Sequence, residues 1–186
     1  MIFLAGPRQS GKTTLARMAS SAFSNSVYFN WDLVTNKRLL VEKPTFFEEI
    51  NRKNNSQPLV IFDEIHKYKK WKNYLKGIYD EFSSRYKFLV LGSGRLNVFQ
   101  KGGDSLAGRY FLFTLWPFTL AELGQHRRTF TEFIKNPLEL DNADKSAGKI
   151  WDQLSRVGGF PEPYLSGKET FYRKWSASYG QQLIRE

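Results

Sequence analysis

Met1-Ile2-Phe3-Leu4-Ala5-Gly6-Pro7-Arg8-Gln9-Ser10-Gly11-Lys12-Thr13-Thr14 joins a short apolar run to the pattern G-x-x-x-x-G-K-[ST], with every fixed position filled. The run is a candidate strand. The residues from Lys12 to Phe23 place Leu15, Met18, Ala19 and Ala22 on one helical face. Strand, glycine-rich loop and helix, in that order, make a phosphate cradle. Gly6 and Gly11 permit backbone angles and close approaches that a Cβ would block. Across Gly6, Pro7, Arg8, Gln9, Ser10, Gly11, Lys12, Thr13 and Thr14, the loop amides and the positive end of the helix are expected to face a β-phosphate. Lys12 is expected to reach the β- and γ-phosphates, and the Thr13 hydroxyl to hold Mg²⁺.

A second anchor stands further along. Leu59-Val60-Ile61-Phe62 is a continuous apolar run, as a buried parallel strand requires, and it delivers Asp63-Glu64 at its end. Asp63 is expected to bind Mg²⁺, and Glu64 to orient and deprotonate an attacking water. The bland reading of this acid pair is a cap on the next helix. Tyr86 to Leu91 reads as another strand, ending in Gly92-Ser93-Gly94-Arg95; Ser93 is either a sensor of the γ-phosphate or a turn-forming serine. Ser105-Leu106-Ala107-Gly108-Arg109 leads into a fifth strand, Tyr110 to Leu115. Arg109 stands where an arginine finger would sit, with Arg95 as its rival; for either, an ordinary surface ion pair is the alternative.

Between these anchors, Val27 to Trp31 reads as a strand, followed by Asp32, which is either a ligand-edge residue or the N-cap of the next helix. Val34 to Val41 and Pro44 to Arg52 read as helices. Ile65, Tyr68, Trp71, Leu75, Ile78, Tyr79 and Phe82 suggest one helix, with Lys67, Lys69, Lys70, Lys72 and Lys76 on its remaining face. Such a face either contacts a phosphate backbone or is simply solvated. Leu96 to Gln100 suggests a helical turn, Lys101 to Asp104 a loop, and Gln125 to Arg128 a basic turn. The polar stretch from Asn136 to Lys145 is the expected boundary between a core of residues 1–135 and a helical extension of residues 136–186. Helices are expected over Ile150 to Val157 and Glu169 to Arg185, separated by Gly158-Gly159-Phe160-Pro161. The uncapped end at Arg185-Glu186 reads as a boundary inside a longer protein.

Composition bounds the partners. The 186 residues are 41% hydrophobic and 16% aromatic, which is globular rather than disordered. A net charge of +10 favours an anionic partner, either a nucleotide, a nucleic acid or an acidic protein surface. There are no cysteines and only two histidines, which argues against disulfides and zinc. No apolar run approaches the ~18 residues of a membrane span. The cytoplasm is the default location.

Three further elements sharpen the picture: Leu106-Ala107-Gly108-Arg109-Tyr110, Leu115-Trp116-Pro117-Phe118 and Gly158-Gly159-Phe160-Pro161. With the two anchors and Leu91-Gly92-Ser93-Gly94, they make the chain resemble the prokaryotic AAA-type ATPases in which an ATPase core precedes a C-terminal domain of unknown function. The resemblance implies an α/β P-loop sandwich with a five-stranded parallel sheet in the order 5-1-4-3-2, then a small helical lid. It implies ATP and Mg²⁺, with Lys12, Thr13, Asp63, Glu64 and Ser93 in their standard roles and Arg109 at the finger position. The usual lid arginine has no clear counterpart. The leading expectation is therefore an ATP-hydrolysing motor or switch, alone, as an oligomer or with a protein partner. The alternative is a nucleic-acid-binding regulator in which ATP is a static ligand.

Overall fold

The computed structural model describes residues 1–93, 106–125, 129–137 and 145–184. Among them, five parallel strands form one sheet: β1 (Ile2–Ala5), β2 (Ser26–Asn30), β3 (Leu59–Asp63), β4 (Lys87–Leu91) and β5 (Phe111–Thr114). Their order is β2-β3-β4-β1-β5, which is the expected 5-1-4-3-2 read from the other edge. The register sets Asn30 beside Asp63 and Asp63 beside Leu91, so the strand ends that carry the motifs line up at one edge. β3 is buried along its whole length, as its unbroken apolar run requires.

The two faces of the sheet are covered differently. Helix α1 (Lys12–Ser21) lies on one, where Ala16 packs with Leu4, Leu59, Ile61 and Leu91. The other carries the larger core. There Phe3, Val60, Phe62, Phe88 and Val90 meet α2 (Val34–Glu42) through Leu40, and α3 (Trp71–Phe82) through Trp71, Leu75, Ile78 and Phe82. Burying each of these large side chains stabilises the fold by roughly 1.5–3 kcal/mol.

Two expected helices are shorter than the sequence suggested. Pro44 to Arg52 forms only a 3₁₀ turn, Phe46–Glu49, in which the adjacent Phe46 and Phe47 are both buried. The helix read from Ile65 to Phe82 is broken as well. Ile65–Lys67 is a 3₁₀ turn, and α3 starts at Trp71. Ile65, Tyr68 and Trp71 recur every third residue, the period of a 3₁₀ helix, whereas Trp71, Leu75, Ile78 and Phe82 keep the α spacing.

Asn25 fastens the start of β2. It is buried, its Nδ2 donates to Asn54 O (3.0 Å) and Ser56 O (3.1 Å), and its Oδ1 accepts from Lys53 N (2.6 Å). Asn25→Ala takes away the partner that three backbone groups of the 53–56 loop share and is expected to lower stability by about 1–3 kcal/mol. Urea unfolding checks this, and an unchanged midpoint contradicts it.

The chain divides into two compact units, Met1–Leu115 and Trp116–Glu186, earlier than the expected boundary after residue 135. The second unit is helical among its described residues: α4 (Leu120–Leu123), α5 (Phe130–Lys135), α6 (Lys145–Val157), α7 (Pro161–Ser166) and α8 (Glu169–Ile184). Thr119 and Thr129 start α4 and α5 with capping boxes to Glu122 and Glu132. Two of the quoted motifs meet here. Phe118 N donates to Gly159 O at 2.7 Å, and a Cβ on Gly159 would lie 2.4 Å from Phe118 O. Only glycine permits that approach. Phe160 packs against Trp175 and Tyr179 of α8, with ring centroids 4.9 and 5.0 Å away.

Candidate nucleotide site

β1 ends at Ala5, and the chain must turn at once to enter α1. Gly6 does so with φ 151°, in space where a Cβ would lie 2.2 Å from the Leu115 carbonyl oxygen. Gln9 (φ 59°) and Gly11 (φ 96°) curl the loop, and Gly11 opens α1 without a side-chain cap. The first amides of α1 therefore stay open to a ligand. Ser10 Oγ is buried with no hydrogen-bond partner among the described residues. Lys12 is buried too, and its Nζ donates back to Gly6 O (3.0 Å) and Pro7 O (2.5 Å). An ammonium has three protons, so one remains to offer. Burial lowers the Lys12 pKa, and the nearby Glu64 and Asp63 carboxylates oppose that shift. An orphaned hydroxyl, a desolvated ammonium and open amides gathered on one loop fit a phosphate.

Asp63 meets this loop across the sheet. Thr13 Oγ1 donates to Asp63 Oδ2 at 2.9 Å, and Tyr28 OH donates to the same oxygen at 2.5 Å. Asp63 is buried. Burial first, and then this bond to Asp63, push the Tyr28 pKa up. Among the described residues no group of three or more His, Asp and Glu side chains is assembled to hold a metal ion. One carboxylate and one hydroxyl suit Mg²⁺, which keeps several waters and takes its remaining ligands from substrate phosphates.

Glu64 follows in the left-handed region (φ 57°), with its N–H bonded to Leu91 O at 3.2 Å. Its Oε2 lies 3.0 Å from Lys67 Nζ and 3.7 Å from His66 Nε2. Lys67 also binds both carboxylate oxygens of Asp32, at 2.8 and 2.7 Å. Burial lowers the Lys67 pKa, but these bonds outweigh it and the net shift is upward. Two readings change here. Asp32 is not the N-cap of α2, because Leu33 holds that place. Lys67 is exposed, as a solvated lysine would be, but it lies on the 3₁₀ turn rather than on α3 and ties Glu64 to Asp32, just past the end of β2. Ser93 is buried just past the end of β4, on the same edge of the sheet as Lys12, Thr13, Asp63 and Glu64.

Arg109 is elsewhere. Its backbone carbonyl accepts from the Met1 amino group at 3.1 Å, at the start of β1 rather than its end. A four-residue strand of about 13 Å separates that edge from the phosphate loop. The guanidinium makes a two-pronged pair with Asp80 of α3 (2.7 and 3.1 Å), which holds the Asp80 carboxyl below its usual range. The Gly94 end of the Ser93 loop, Arg95, the expected turn over Leu96 to Gln100 and the loop over Lys101 to Asp104 lie outside the described residues.

Tyr28 is the site residue that the sequence reading passed over. The signal was a polar-tipped side chain two residues before the end of a strand that neighbours β3.

The family described as AAA domain matches residues 1–124. No curated protein matches the chain. Similar solved structures include the Aeropyrum pernix ORC1 protein in complex with DNA, with 13% identity and a TM-score of 0.48 over 88% of this chain and 51% of that one. C. elegans PCH-2 has 15% identity and a TM-score of 0.43, over 84% of this chain and 49% of that one. Drosophila ORC bound to DNA has 12% identity and a TM-score of 0.47, over 94% and 48%. The chain thus spans about half the length of these proteins. No helix among the described residues is long and apolar enough to cross a membrane.

Proposed function

This chain belongs to the AAA domain family, with the ATPase-type function that membership carries, and from that premise we propose that it binds ATP with Mg²⁺ and hydrolyses it, acting as a motor or switch. The observation that carries the reading is the 2.9 Å hydrogen bond from Thr13 to Asp63, which joins the two anchors beside the buried Lys12. The loop of Gly6 to Thr14 holds the phosphates. Lys12 donates a hydrogen bond to them through its remaining N–H, and Ser10 Oγ gains the partner it lacks. Thr13 and Asp63 hold Mg²⁺, which when bound neutralises charge on the phosphate oxygens. Glu64, with Oε2 held by Lys67, takes a proton from the attacking water on Oε1. Ser93 reads the state of the γ-phosphate from the end of β4. A finger role for Arg109 is confined to a neighbouring copy, because it stands at the far edge of its own sheet.

Titration calorimetry with ATP and Mg²⁺ tests the cradle. Lys12→Ala is expected to lose measurable binding while keeping the wild-type far-UV spectrum. An Lys12→Ala chain that binds as tightly as wild type contradicts the assignment.

A further inference from the structure

We propose that Tyr28 is a positioning residue for the metal-binding carboxylate: its hydroxyl and that of Thr13 hold Asp63 Oδ2 together, so that Oδ1 is the oxygen presented to Mg²⁺ and its waters. The proposal rests on the reading that Asp63 serves Mg²⁺.

The placement follows from the sheet. Tyr28 pairs in register with Ile61, and Asn30 with Asp63. Alternation along the strands puts Tyr28 and Asp63 on one face, diagonal across neighbouring strands. That is the face covered by α1, whose first turn carries Thr13. The two donors therefore come from different elements, a strand and a helix, and converge on one oxygen. A carboxylate that could rotate is fixed by two bonds, and Oδ1 is left outside both.

The Tyr28 ring is itself held. It packs with Phe23 against the core under α1. Arg17, one turn along α1 from Thr13, lies over the ring with its guanidinium carbon 5.8 Å from the centroid. Removing the hydroxyl alone therefore leaves the ring where it is and frees only the carboxylate. Partners that orient a metal ligand in this way typically govern about 10–100-fold in metal affinity or activity.

The test is ATP titration of the full chain, first in EDTA and then over a series of free Mg²⁺ concentrations, comparing wild type, Tyr28→Phe and Asp63→Asn. Tyr28→Phe is expected to bind ATP in EDTA as wild type does, and to need at least about 10-fold more Mg²⁺ for half of the metal-dependent tightening. Asp63→Asn is expected to lose that tightening. A Tyr28→Phe chain with the wild-type Mg²⁺ midpoint overturns the role of Tyr28, even if its melting temperature falls, because a merely structural bond moves stability and not the midpoint. A wild type whose ATP affinity ignores Mg²⁺ overturns the metal reading underneath.

Discussion

Glu64→Gln is expected to bind ATP with wild-type affinity and to turn it over about 10²–10⁴-fold more slowly, the span that a positioned general base contributes. Glutamine keeps the shape of glutamate and an oxygen that Lys67 can still bond. The backbone that sets the side chain, with φ 57° and the N–H to Leu91 O, is unchanged by the substitution. Only the capacity to take a proton is lost. Phosphate release at saturating Mg-ATP, beside an ATP titration, separates the two effects. If binding falls as far as turnover, Glu64 shapes the site and does not act in the chemistry.

Phe47→Ala is expected to cost about 3–5 kcal/mol of folding stability, the range for removing a fully buried phenylalanine. Phe47 is 0% exposed, and its ring lies 5.2 Å from Phe82, 5.1 Å from Tyr86 and 5.8 Å from both Phe46 and Phe88, centroid to centroid. It thus joins a 3₁₀ turn to α3, to β4 and to the residue before β4. The cavity is hemmed by other rings and by the sheet, so little can collapse into it. Met18→Ala on the exposed face of α1, where Met18 is 65% exposed, serves as the comparison and is expected to stay within about 0.5 kcal/mol. A loss under about 1 kcal/mol for Phe47→Ala in urea unfolding contradicts this account of the core.

The sheet was legible because each of its buried strands is a short apolar run, and the two anchors sit at strand ends that must share an edge. Once Gly6 to Thr14 and Asp63-Glu64 are recognised, the strand order follows from the resemblance, and the structure has that order. What stayed hidden depends on register or on competition between local structures. Tyr28 reaches Asp63 only because β2 pairs with β3 in one register; a shift of one residue would turn it to the other face. Asp32 looked like a cap because aspartate often is one, and a lysine from the turn after β3 claims it instead. The break before α3 was visible in the spacing of Ile65, Tyr68 and Trp71, yet a period of three and one of 3.6 differ little over so few residues. Arg109 keeps its place just before β5, but the direction of β5 sets it at the edge away from the phosphate loop, a matter of topology rather than motif.

Phosphate release from ATP by the wild-type chain, in Mg²⁺ and again in EDTA, tests the central claim most directly. Steady release in Mg²⁺ that stops in EDTA and is absent in Lys12→Ala is the expected result. Release that persists in EDTA, or that survives Lys12→Ala, would contradict it.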